Sequence, residues 1–125
     1  MHIVFRILSI LVAIFFSLTT FNWIFDPAVA AQSLGMQLLT GSAASTQIGD
    51  IGALFFSSAL LIWWAQLPGK SQWFYAPALM IGLTAVMRTL AWLLGNADFL
   101  VAMVVGEIII VVILVVSARL RAEEV

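Results

Sequence analysis

Four apolar stretches, separated by short polar ones, dominate the pattern of hydrophobic and polar positions along the chain. They cover about residues 3–25, 48–67, 73–94 and 98–119. Each is close to the roughly 20 apolar residues that cross a bilayer as a helix. The fourth contains the β-branched run IIIVVILVV, but a span in lipid must satisfy its own backbone, so a helix is expected there too. The pattern predicts one domain over residues 1–125, an all-α integral membrane four-helix bundle with antiparallel up-down topology.

Short polar links separate the last three stretches. The second and third are joined by LPGKSQ, a Pro-Gly turn, and the third and fourth by GNAD. Links this short make sequential helices antiparallel neighbours. We expect Gly95 to end the third helix, and Asn96 or Asp98 to cap the fourth.

The first link is longer, about residues 26–47, and begins DPAVAAQSLG. Asp26 is a suitable N-cap residue, Pro27 is favoured at the first position of a helix, and Gly35 is typical of the residue that ends one. We therefore predict a short interfacial helix here, followed by a polar segment up to the second span.

The first stretch also imitates a secretory signal, because Arg6 precedes an apolar run and Ala28 and Ala30 form an A-x-A site. The apolar run is longer than the usual ~7–15-residue signal core, and bulky residues precede the site. We expect the segment to be retained as a span.

Composition narrows the class further. The chain is 64% hydrophobic and 9% charged, whereas soluble domains are roughly 45–50% apolar and about 25% charged. The lipid bilayer is therefore the expected solvent. A net charge of −1 argues against nucleic acid as a partner. With no cysteine, one histidine and no phosphate loop or nucleophile elbow, we expect no metal, no cofactor and no catalytic residue.

The basic residues predict the orientation. With four spans both termini share one side, and Arg6, Lys70, Arg119 and Arg121 then fall on that side. The positive-inside rule places both termini in the cytoplasm.

Arg88 and Glu107 are placed well inside apolar stretches. At ~1.5 Å per residue they lie about 10 and 13 Å below the outer ends of the third and fourth spans, and Asp50 opens the second span from the same side. A lone charge in lipid costs at least ~2.5–3.5 kcal/mol and usually pairs. We predict that Arg88 pairs with Glu107 and that its donors also reach Asp50.

This Asp50–Arg88–Glu107 cluster has alternative interpretations. It could only lock two helices in register, or it could line a functional cavity in which the surplus carboxylate meets a proton, water, a cation or a basic ligand. Asp50 could instead simply favour the start of its helix. Trp92 could stack on Arg88 or, as we favour, join a belt of interfacial tryptophans with Trp23, Trp63, Trp64 and Trp73. Asn22 could reach the cluster or face headgroups.

A stripe of small residues, Gly49, Ala53 and Ser57, repeats every four residues along the second span. Such stripes let helices approach closely. We expect it to pack a helix of the same chain, with a homo-oligomer contact as the alternative.

Four motifs carry a resemblance: FDPAVAAQSLGM, QIGDIGALFFSSALL, AVMRTLAWLLGNAD and VVGEIIIVVILV. In this layout the chain resembles the DoxX-like group of small bacterial four-helix membrane proteins. The resemblance implies a bundle in the bacterial inner membrane with an Arg and a Glu on the third and fourth helices, here Arg88 and Glu107. Better-known members are associated with quinone-linked or thiosulfate oxidation complexes, but this chain departs from them in having no redox residue.

Three functions are weighed. The first is a non-enzymatic accessory or scaffold subunit of a larger membrane complex. The second is a binder or transporter of a small molecule, lipid or ion that uses the charged cluster. The third is a membrane enzyme acting on a lipid or quinone.

Overall fold

Five α-helices and one short 3-10 turn make up the protein in a computed structural model that describes residues 1–124. The helices are α1 (His2–Phe25), α2 (Pro27–Ser33), α3 (Gly41–Ala65), α4 (Tyr75–Leu93) and α5 (Val101–Ala122), with the 3-10 turn Ser71–Phe74 leading into α4. No strand occurs within these 124 residues. The all-α prediction is confirmed.

Four of the helical segments are long and apolar enough to cross a membrane: His2–Phe25, Gly41–Ala65, Ser71–Leu93 and Val101–Ala122. They agree with the four predicted spans in number and order. Most large apolar side chains on them are exposed, as suits helices whose outer faces meet lipid.

The second span begins earlier than predicted, at Gly41 rather than near Ile48. Residues 41–47, which we assigned to the link, are helical. Gln47 links this first part of α3 to the residues before it. Its Oε1 accepts a hydrogen bond from the Leu39 N–H at 2.9 Å, and its Nε2 donates to the Gln37 carbonyl at 3.0 Å. A helix of 25 residues is ~37 Å long, more than the ~30 Å of hydrocarbon, so its polar start need not lie in lipid.

Glycines end α2 and α4 as predicted. Gly95 has φ +79°, and the N–H groups of Gly95 and Asn96 donate to the carbonyls of Trp92 and Ala91, which forms a Schellman motif. Gly35 ends α2 in the same way, with φ +75°.

The predicted caps are less accurate. Asp26 is the N-cap residue of α2, but its side chain makes no capping bond. Helix α5 begins at Val101 with Leu100 as N-cap, so neither Asn96 nor Asp98 caps it and the prediction is wrong.

The core lies between α1, α3 and α5, with α2 packed on α1 and α4 packed chiefly on α5. Phe16 of α1 meets Phe55 of α3 edge to face, with ring centroids 5.4 Å apart. Ile62 and Leu114 complete the centre and are fully buried.

Trp23 belongs to this core and not to the interfacial belt, contrary to our prediction. It is 1% exposed, because Gly52 of α3 leaves room for it: a Cβ at Gly52 would lie 3.5 Å from the Trp23 Cβ. Trp63, Trp64 and Trp73 are exposed, as a belt requires.

Candidate functional site

Arg88 and Glu107 form the predicted contact between α4 and α5. Arg88 lies five residues before the end of α4 and Glu107 six residues after the start of α5, which puts them at matching depths of about 8 and 9 Å. The Nε of Arg88 donates to both carboxylate oxygens of Glu107, at 3.1 and 3.2 Å. Their side chains are 27% and 15% exposed, so the pair is largely shielded.

The Arg88 guanidinium bonds to Glu107 through its Nε alone. Among residues 1–124, only its Nε forms a hydrogen bond, and the donors on Nη1 and Nη2 have no protein acceptor. Arg88 thus has capacity for a second acceptor beyond Glu107.

Asp50 does not join this pair. Its carboxylate forms no ion pair or side-chain hydrogen bond within the described chain, and the residue is exposed. Helix α3 packs mainly against α1, through a face that carries Phe55, Ser58 and Ile62. At ~100° per residue Asp50 lies roughly a third of a turn from that face, so the predicted three-residue cluster is not formed.

Neither Trp92 nor Asn22 makes the predicted contact with Arg88. Trp92 is exposed and packs against Phe99, with ring centroids 4.8 Å apart. The one cation–π contact within residues 1–124 joins Lys70 to Trp64, so Trp92 does not stack on Arg88. No hydrogen bond links the Asn22 side chain to Arg88 or Glu107. The Asn22 backbone carbonyl accepts a hydrogen bond from the Asp26 N–H at 2.7 Å.

The small-residue stripe of α3 is uncovered, which contradicts the expected packing within the chain. Gly49 and Ala53 are exposed, and a Cβ added at Gly49 would meet no atom within 4 Å. The Ser57 hydroxyl donates back to the Ala53 carbonyl at 2.7 Å. The close approach to α1 is instead made by Gly52, which lies on a different side of α3 and contacts Trp23. Because Asp50 adjoins the stripe, we call Gly49, Asp50, Ala53 and Ser57 the open α3 face.

A second polar cluster joins the chain ends and was not predicted from the sequence. We call Arg6, Gln66, Arg121 and Glu124 the terminal cluster. Arg6 Nη2 donates to Glu124 Oε2 at 3.0 Å, and Arg121 Nη1 donates to Gln66 Oε1 at 2.9 Å. These contacts bring together the start of α1, the end of α3 and the end of α5.

Glu124 is the acidic member of this cluster. Desolvation would raise the pKa of its carboxyl, but His2, Arg6 and Arg121 outweigh that effect and leave the pKa below its ordinary value. The clustering of Arg6 and Arg121 at the ends of their spans was the available signal. Gln66 gave none, because one amide beside a turn is common.

An open groove of about 360 Å³ lies between α4 and α5. Its lining is apolar and includes Gly82, Ala85, Thr89, Val104, Ile108 and Val111, but neither Arg88 nor Glu107. The paired charges therefore do not face this space. No group of three His, Asp or Glu side chains that could hold a metal occurs in the described part of the chain.

The fold is all-helical, with four helices long and apolar enough to cross a membrane and an ion pair between two of them. Comparison of the chain with protein-family models, curated proteins and solved structures finds no match.

Proposed function

We propose that this protein is a non-enzymatic accessory or scaffold subunit of a membrane complex, and that it binds a helix of its partner on the open α3 face. The proposed setting is a bacterial inner membrane, with an antiparallel bundle, both termini in the cytoplasm and α2 at the outer interface. A place in the DoxX-like group is part of the proposal, and the Arg88–Glu107 contact supports it.

Charge supports this orientation. Arg6, Arg121 and Gln66 meet at one end of the bundle, and Gln66 adjoins the link that carries Lys70. An end that gathers Lys and Arg is the cytoplasmic end by the positive-inside rule.

The exposed carboxylate of Asp50 is the main observation that supports a partner helix on the open α3 face. Asp50 lies ~22 Å along α3 from its end at Ala65, which is about 8 Å inside the opposite boundary of a ~30 Å hydrocarbon layer if Ala65 marks the inner boundary. A charge near the bilayer centre costs at least ~2.5–3.5 kcal/mol, less towards the boundary, and such residues are usually covered and paired. A partner would relieve this cost.

The chemistry of the face specifies that partner. Gly49 and Ala53 let a helix approach closely, and the acid beside them favours a helix with an Arg, Lys or other hydrogen-bond donor at that depth. The occupant we propose is such a helix from a different membrane protein.

Photo-crosslinking in native membranes tests this assignment. A photoreactive benzoylphenylalanine replaces Ala53 on the open face in one variant and Ala102, exposed on α5, in a matched control. We expect an adduct from position 53 to a membrane helix with a donor near the crosslinked residue, and none from position 102. The adduct should decrease when Asp50→Leu is added.

Three outcomes would contradict the proposal. Equal adducts from both positions would indicate random lipid-phase encounters, and no adduct would leave the face without a partner. An adduct to a second copy of this chain would make the protein a homo-oligomer and refute a separate partner.

A small-molecule or lipid binder is the second candidate, because Nη1 and Nη2 of Arg88 lack an acceptor among residues 1–124. An anionic ligand there would be lost on Arg88→Lys, which keeps the charge but not the planar donor set. Native mass spectrometry of wild-type and Arg88→Lys protein tests this: a co-purifying anion retained equally by both would refute the second candidate.

A further inference from the structure

Two arginines from opposite ends of the chain converge on one oxygen atom in the terminal cluster. Arg6 Nη2 lies 3.0 Å and Arg121 Nε 3.3 Å from Oε2 of Glu124. Two guanidinium groups around a single oxyanion form strong charge-assisted contacts, and the same arrangement binds carboxylate or phosphate.

Arg121 keeps its orientation without help from Glu124. Its side chain is 8% exposed, and its Nη1 and Nη2 donate to the side-chain and backbone oxygens of Gln66. Gln66 Nε2 donates in turn to Ser9 Oγ at 3.0 Å, and Ser9 Oγ donates to the Arg6 carbonyl. The two arginines are therefore linked through a hydrogen-bonded chain that runs behind the site.

A cavity of about 350 Å³ opens in front of these groups. Arg6, Gln66, Ser71, Arg121 and Glu124 line it, together with the turn formed by residues 67–69. Its volume is at the small end of the ~300–1,000 Å³ typical of ligand sites, which suits a headgroup or small anion.

Glu124 is a displaceable occupant of this cavity, and its Oε1 also contacts His2 Nδ1 at 3.2 Å. It lies in the turn after α5, and its side chain is 34% exposed. His2 and Arg6 are 46% exposed, and exposed ion pairs contribute little to stability, so an anion with more oxygens can displace the Glu124 carboxylate. Arg6 uses only Nη2 for side-chain hydrogen bonding among residues 1–124, which leaves further donors for a ligand with more oxygens.

We propose that the cavity of the terminal cluster is a binding site for a phosphate group, with the Glu124 carboxylate as its internal substitute. A phosphate offers several acceptor oxygens to Arg6, Arg121 and the Ser71 hydroxyl, whereas Glu124 engages each arginine through one contact. The phosphate can belong to an anionic phospholipid headgroup at this end of the bundle or to a soluble anion. The site is separate from the open α3 face and does not depend on a partner there.

Calorimetric titration of the whole protein in dodecyl maltoside micelles tests the proposal. The probes are dihexanoyl phosphatidylglycerol, inorganic phosphate, and dihexanoylglycerol, which lacks the phosphate. The variants are Arg6→Gln, Glu124→Gln and, as a matched control, Arg119→Gln. Arg119 is exposed two residues before Arg121 and forms no ion pair within residues 1–124.

We expect phosphatidylglycerol to bind and dihexanoylglycerol not to bind. Arg6→Gln should weaken binding about tenfold, since a charge-assisted hydrogen bond is lost. Glu124→Gln should strengthen it up to about fivefold, since the internal competitor is neutralised. That gain is informative, because a folding defect cannot produce it. Arg119→Gln should leave affinity unchanged.

Other results separate the sources or overturn the proposal. Binding of inorganic phosphate alone, with the same response to the variants, would support the site and identify a soluble ligand. An equal loss in Arg6→Gln and Arg119→Gln would show diffuse surface attraction and refute a built site. Absence of binding by either phosphate probe to wild type and Glu124→Gln would also refute it.

Discussion

Removing the charges of Arg88 and Glu107 singly and together measures what their contact contributes to the fold. The changes are Arg88→Met, Glu107→Leu and the double variant. Each single change leaves the other charge without its partner between α4 and α5. Breaking a buried pair typically costs about 3–5 kcal/mol of unfolding free energy. Side-chain exposures of 27% and 15% reduce this, so we expect about 2 kcal/mol for each single change.

The double variant should lose less than either single variant, about 1 kcal/mol, because no stranded charge remains. The coupling energy is then about 3 kcal/mol, at the upper end of values for residues in contact. Unfolding in mixed micelles of dodecyl maltoside and sodium dodecyl sulfate, followed by far-UV circular dichroism, gives the four free energies. Arg119→Met is the control and should change stability little, because Arg119 is exposed.

Additive losses would refute this account. If the double variant loses about 4 kcal/mol, the sum of the single losses, the charges do not stabilise each other through their contact. A role for Arg88 in the fold would then have to come from its separate packing.

Three further predictions concern the ends, the turns and the core. Because the pKa of Glu124 is lowered in the fold, its contribution to stability is present above the ordinary glutamate pKa of 4.5 and is lost as pH falls through the lowered value. The difference in unfolding free energy between wild type and Glu124→Gln should therefore vanish in strongly acidic buffer. A difference that stays constant with pH would contradict this prediction. Gly95→Ala should cost about 1 kcal/mol of unfolding free energy in the same assay, because Gly95 has φ +79°. Gly106→Ala should be neutral or stabilising, because Gly106 lies inside α5 with open space for a Cβ. Equal effects of the two changes would refute the Schellman assignment. Phe16→Ala should cost about 3 kcal/mol by opening a core cavity, whereas Phe15→Ala, which is 55% exposed, should cost far less; similar losses would argue against the assigned core.

The spans and the Arg88–Glu107 contact could be predicted because each depends on local information. A long apolar run in lipid must be helical, and a tight turn fixes which depths on two neighbouring helices coincide. Arg88 and Glu107 flank such a turn, so counting residues back from Gly95 and forward from Asp98 was sufficient to pair them.

Helix rotation about the axis is harder to predict in a chain this apolar. Apolar residues occur on all sides of α3, so periodicity did not distinguish its buried face from its outer face. For that reason the stripe at Gly49 was expected to pack and is open, whereas Gly52 packs on Trp23. Trp23 was expected at the interface and lies in the core for the same reason.

By itself the sequence determined the helical class, the number of candidate spans and one ion pair, because these follow from backbone satisfaction and from depth. The tertiary structure alone decided which side chains share a face. It left the Asp50 side chain on α3 without a partner among residues 1–124, and it joined Arg6, Gln66 and Arg121 from distant parts of the chain. The physical reason is that the packing of α1 between α3 and α5 sets the rotation of each helix, and no local pattern records that packing.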